Sequence, residues 1–153
     1  MEEVLTQIKD EVIRRLKKLD PAVDIIFEQI HSTDDEHGIT RPETYYFIDI
    51  MLSNSTVDRF FVEMGVLVDV AYHEKNESNT AYLVKAGELG GLFCPVFSFG
   101  GRHITVPSAS HKVADHVLHT SFALQFRHPL PMEAESELMR ELDVAVEKER
   151  NKL

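Results

Sequence analysis

The chain has 153 residues, 43% of them hydrophobic with nine Phe, a length that suits one domain (1–153) and a composition that excludes a disordered chain. Its 26 acidic residues against 16 basic give a net charge of −10, which argues against wrapping or reading nucleic acid, because phosphate binding runs on Lys and Arg. No apolar run approaches the ~20 residues of a membrane span, and the opening Met1-Glu2-Glu3-Val4 lacks the basic start and apolar core of a signal peptide.

Residues 2–19 read as an amphipathic helix, with Leu5, Ile8, Val12, Leu16 and Leu19 at three- and four-residue steps. Glu2 and Glu3 at its start and Arg14, Arg15, Lys17 and Lys18 near its end suit the macrodipole, and Asp20-Pro21 stops it. A first strand spans 22–30, with Val23, Ile25 and Phe27 on one face. His31 to Pro42 is polar and turn-rich, an exposed loop. Thr44 to Leu52 is a second strand, Ser53-Asn54-Ser55-Thr56 a turn, and Phe60 to Tyr72 a third strand that pairs with the second as a hairpin.

Ser78 or Asn79 caps a second helix carrying Tyr82, Leu83, Ala86 and Leu89, which ends near Gly90-Gly91. Pro95 to Val106 is extended, with Gly100-Gly101 either turning a small hairpin or making a bulge. Val113 to Arg127 alternates faces for longer than a small core requires. Leu118, Thr120, Phe122, Leu124 and Phe126 fall on one side, in a strand of ~45–50 Å at ~3.3 Å per residue. A strand that outruns its own domain needs another partner, so the chain reads as a subunit of an assembly. Pro129-Leu130-Pro131 breaks the strand, and a last helix follows from Met132 with Leu138, Met139, Leu142, Ala145 and Val146 as its stripe. The fold class is α+β, a largely antiparallel or mixed sheet flanked by N-terminal, middle and C-terminal helices.

The usual chemistries find little footing. His111, His116 and His119 are close in sequence, but on one strand His116 and His119 point to opposite faces, and zinc wants three or four convergent ligands. Asp34-Asp35-Glu36-His37-Gly38 lacks the alternate ligands and distal Glu of a calcium loop. A solvated acidic loop is the plainer reading, and Asp34, Asp35 and Glu36 are also candidates to charge the wall of a channel. Cys94, the single cysteine, excludes an intrachain disulfide and sits before Pro95 between apolar residues, where a buried inert thiol is expected. There is no nucleophile elbow, P-loop or dinucleotide fingerprint, so no enzyme, cofactor or metal is expected. Two features favour contacts between subunits. Tyr45, Tyr46, Phe60 and Phe61 place four aromatics at the ends of the hairpin, with ordinary core packing as the other reading. Arg102 and Arg127 end extended segments, where each can meet a neighbour's carboxylate.

Three segments, in order, resemble the tail-terminator (tail-completion) family of Gram-positive phages and PBSX-like prophages. They are Arg59-Phe60-Phe61 through Val66-Leu67-Val68-Asp69-Val70-Ala71-Tyr72, the helix at Ser78-Asn79-Thr80-Ala81-Tyr82-Leu83, and Val113-Ala114-Asp115-His116-Val117-Leu118-His119 with its long strand and Glu137-Leu138-Met139 on the closing helix. Pro42 and Ala71-Tyr72-His73 depart from the family pattern. The resemblance implies a homohexameric ring in the virion, at the head–tail junction and assembled in the host cytoplasm. The ring would cap the tail tube, stop its polymerisation and join the tube protein to the head-side connector or stopper. DNA would pass through without sequence-specific binding, which an acidic chain suits. A tail-tube or connector subunit is the neighbouring reading. A small-molecule-binding α+β domain is a more distant one.

Overall fold

The computed structural model describes residues 2–27 and 43–130. The acidic loop at Asp34, Asp35 and Glu36 and the helix expected from Met132 lie outside the described residues.

Helix α1 (Glu2–Leu19) buries Val4, Ile8, Val12 and Leu16, a stripe of strict four-residue steps. Leu5 and Leu19 flank it half-buried, and Val4 takes the place expected for Leu5. Strand β1 (Asp24–Phe27) pairs in parallel with β2 (Tyr45–Val57), which forms an antiparallel hairpin with β3 (Phe61–His73). Helix α2 (Asn79–Phe93) follows, capped by the Ser78 hydroxyl accepting from the Ala81 N–H. Strands β4 (Val96–Phe99) and β5 (Arg102–Thr105) make a small hairpin, turned by Gly100 and Gly101 at φ 53° and 79°. Strands β6 (Ser110–Ala114) and β7 (Val117–Pro129) complete the main sheet, in the order β1-β2-β3-β7-β6. The described residues are an α+β fold on a mixed sheet.

One core lies on the inner face of that sheet. Tyr46, Ile48, Val66, Val68, Val70, Phe122, Leu124 and Phe126 all point into it, and α1, α2 and the β4–β5 hairpin cover them. Phe93 stacks on Phe122 with ring centroids 4.7 Å apart, and Phe99 meets Phe126 edge-on at 5.2 Å. Arg15 ties the layers together: its guanidinium lies over Phe97 and donates to the Leu92 and Val96 carbonyls, at 2.9 and 3.1 Å.

Three expectations are corrected. Ser53-Asn54-Ser55-Thr56 is strand, not turn, and β2 runs on to Val57 with a register shift between Leu52 and Asn54. The polar run marks strand exposed on both faces, while the turn falls at Asp58-Arg59-Phe60. There the Asp58 carboxylate accepts from the Phe60 and Phe61 N–H groups, both at 2.8 Å. Helix α2 passes through Gly90-Gly91 to Phe93, because burial of Phe93 and Leu89 holds the last turns on the sheet. Gly90 instead admits the His111 ring, whose Nε2 would lie 3.4 Å from an added Cβ. Val113 to Arg127 is not one strand. Asp115 and His116, at φ 51° and 64°, make the two-residue turn of the β6–β7 hairpin, a left-handed pair usually supplied by Asn-Gly or Asp-Gly.

The argument from an unpartnered strand changes with it. β7 pairs with β3 along its whole length, Phe61 with Pro129 through Tyr72 with Leu118. β2, β3 and β7 each span 13 residues, about 40 Å at ~3.3 Å per residue. These three run beyond their flanking strands: among the described residues β1 covers β2 only to Ile48, and β6 covers β7 only to Ser121.

Candidate functional site

The three long strands give the molecule two unlike ends. At one, α1 meets α2 over a half-buried polar cluster. Lys85 Nζ donates to Asp20 Oδ2 at 2.6 Å and reaches Glu88 at 3.1 Å, and the Tyr46 hydroxyl donates to the same Asp20 oxygen. The Lys85 ammonium lies 4.9 Å from the Tyr72 ring centre. Burial pushes the Asp20 carboxyl up, but the Lys85 and Tyr46 hydrogen bonds and the Lys85 charge outweigh it and hold it below the usual carboxylate range. Burial pushes Lys85 down, and Asp20 and Glu88 more than reverse that. Burial, then Asp20, raises the Tyr46 phenol.

At the other end is the β2–β3 turn. Val57, Phe60 and Phe61 are 66%, 44% and 40% exposed there. The Asp58 bonds, Asp58 N–H to the Phe61 carbonyl (2.9 Å) and Leu130 N–H to the Phe60 carbonyl (3.0 Å) hold the tip in one shape. Those backbone N–H donors also hold the Asp58 carboxyl below its ordinary range. Arg127 lies exposed on the strand beside Glu63, its register partner.

The aromatics expected at the hairpin's ends separate accordingly. Tyr45 stacks half-buried on His73, at 5.4 Å, and Tyr46 is fully buried. Both lie a strand's length from Phe60 and Phe61. Tyr46 is thereby withdrawn from the candidate surface: its inward position on β2 and the waiting Asp20 carboxylate place it in the core. Arg102 is half-buried. Its guanidinium sits against the Phe126 and Phe99 rings, at 5.2 and 5.9 Å, with Nη2 3.0 Å from His128 Nδ1 and Nη1 buried without a hydrogen-bond partner. Burial, then the Arg102 charge, lowers the His128 pKa and keeps its ring neutral, so Nδ1 can accept from the guanidinium.

The histidines go to separate partners. The His111 ring meets buried Thr120 at 2.9 Å, His116 meets Glu77, and His119 meets Asp69, each also at 2.9 Å. Among the described residues no three His, Cys, Asp or Glu converge on a metal-sized point. Ser121 donates to the other Asp69 oxygen at 2.7 Å. Serine and imidazole both address the carboxylate and not each other, so the imidazole is not placed to take the serine proton.

The α2 outer face escaped sequence reasoning. Leu83, assigned there to the apolar stripe, is 75% exposed and lines a groove of about 200 Å³ with Ala86, Val113 and Leu118. The signal was available: Leu83 follows Tyr82, and only one of two adjacent helix positions can face the sheet.

Exposed apolar side chains lie at both ends of the sheet, and the described residues present no converged catalytic set. A family model described as phage tail terminator protein matches residues 7–136. The chain belongs to this family, a structural component of the phage tail that serves its completion. No curated protein matches the sequence. Among the described residues no helix is long and apolar enough to cross a membrane.

Proposed function

We propose that the chain forms a closed ring of six copies at the head–tail junction, seated on the last ring of tube subunits. There it stops tube growth and offers its other face to the head-side connector, while DNA passes through the centre. Membership of the tail-terminator family supports the role. The observation that supports the ring is the β2–β3 tip, where Val57, Phe60 and Phe61 are exposed together and gain by burial against another subunit. Arg127 lies on the same end, and Tyr45 on the opposite one. A net charge of −10 suits a wall past which DNA slides. Native mass spectrometry with negative-stain imaging tests the ring. A hexamer with an open centre is the expected result. A strict monomer, also when mixed with purified tail tubes, refutes it.

A further inference from the structure

We infer that the β2–β3 tip of one copy seats in the α2–β6 groove of the next, so that the ring closes head to tail; this rests on the ring reading above. Tip and groove lie at opposite ends of the same sheet. The tip is at Phe61, where β3 begins, and the groove lies beside Leu118, paired with Tyr72 near the end of β3. Eleven residue steps separate these positions, roughly 40 Å at ~3.3 Å per residue once the turn beyond Phe61 is included, so one chain cannot bring its own tip to its own groove. Two different patches that must meet between copies define a heterologous contact, and that is the kind a ring requires. Six copies of about 40 Å each trace about 240 Å, a circle about 75 Å across with room for an open centre.

Shape and charge favour a second copy over another occupant. The tip is convex, apolar and held in one conformation by Asp58, so little ordering cost remains on docking. The groove is concave and lined by Leu83, Ala86, Val113 and Leu118. Around the tip, Arg59 leans on the Phe60 ring at 5.7 Å, and neither Arg59 nor Arg127 forms an ion pair among the described residues. Two residues beyond the groove's lining on either side, the Glu77 carboxylate meets the exposed His116 ring at 2.9 Å and Asp115 stands in the β6–β7 turn. In the lining, Lys112 has no carboxylate partner among the described residues, and the tip brings Asp58 and Glu63. Each rim thus holds charges of both signs that the other can answer.

A double-cysteine variant, Val57→Cys with Asn79→Cys, which keeps Phe60 and Leu83 in place, tests the contact under mild oxidation, with native mass spectrometry on the same sample before oxidation. Cys94 is present in every variant, so the two single substitutions control for it. The expected result is a denaturing-gel ladder up to six rungs for the double variant and no species beyond a dimer for either single one. Rings in the native spectrum without a ladder overturn the tip-in-groove contact and leave the ring reading standing. A strict monomer without a ladder, also when mixed with purified tail tubes, overturns both. A charge exchange gives a second readout free of cysteines: Arg59→Glu should lower the ring fraction about tenfold, the scale of one rim charge pair, and adding Glu77→Lys should restore it. Full ring formation by Arg59→Glu also overturns the contact.

Discussion

The two ends of the sheet are built on opposite principles. In the cluster between α1 and α2 the charged groups are partnered within the chain: Asp20 takes Lys85 and Tyr46, and Lys85 adds Glu88. At the tip end the polar groups serve the backbone and the side chains are left over: Asp58 holds the turn, while Phe60, Phe61 and Val57 face outward. A cluster whose contacts are complete internally contributes to stability. An end whose backbone is fixed and whose side chains are unspent contributes to association. The contrast concerns edges only, because inner-face residues near the tip, such as Leu124 and Phe126, belong to the same core as Tyr46 and Ile48.

The largest effect therefore belongs to the inner face near the tip. Leu124→Ala should cost about 2–5 kcal/mol, the range for a fully buried leucine whose cavity relaxes only partly. Urea unfolding measures it, and a loss below about 1 kcal/mol would mean that the tip half is not part of the core. Next comes Lys85→Met. Breaking a buried ion pair costs ~3–5 kcal/mol, but the Asp20 side chain keeps a quarter of its exposure, so water takes part of the load and about 1–3 kcal/mol is expected. An unchanged midpoint would show that the cluster is no more than a surface pair.

The same cluster sets a pH window. Asp20 titrates lower in the folded chain than in the unfolded one, so its contribution is fully present above pH ~4 and is lost as pH falls from there through its lower folded value. Lys85 and Tyr46 titrate higher when folded, so theirs is present below pH ~10 and lost as pH rises beyond it. Asp20→Asn should flatten the acid limb of a stability-against-pH curve. An acid limb identical in both proteins would move the cause to other carboxylates, such as Glu11, which its hydrogen bond from Arg14 also holds low.

What the sequence made legible follows the same division. Runs with one buried face announced themselves by period: α1, β3 and the Leu118–Phe126 row of β7 lie where their alternation placed them. Turns were harder. Ser53–Thr56 has turn composition but is the exposed far end of β2, and Asp115-His116 turns the chain without glycine. In both places exposure, not local propensity, decides, and exposure depends on the rest of the fold. The candidate surface was half legible. Phe60, Phe61 and Arg127 read as apolar or charged residues at strand ends, and that is where they lie. Tyr46 read the same way and is core, because its partner Asp20 is 26 residues distant in sequence. Nothing in the local pattern joins the two.

The smallest expected change in stability sharpens the contrast most. Phe60→Ser removes a ring that is already 44% exposed and leaves the Asp58 bonds to the backbone untouched. Folding stability should shift by about 0.5 kcal/mol or less, the ordinary range for a surface site, while assembly into rings should fall sharply. Leu124→Ala is the reciprocal case, with a large loss of stability and rings wherever the chain remains folded. If Phe60→Ser instead lowered the unfolding midpoint as much as Leu124→Ala, the aromatic tip would be a structural element and the division between the two ends would fail. If it changed neither stability nor ring fraction, the tip would not be the surface through which copies meet. Separate stability and native-mass measurements on these two variants therefore distinguish a face kept for folding from a tip kept for a neighbour.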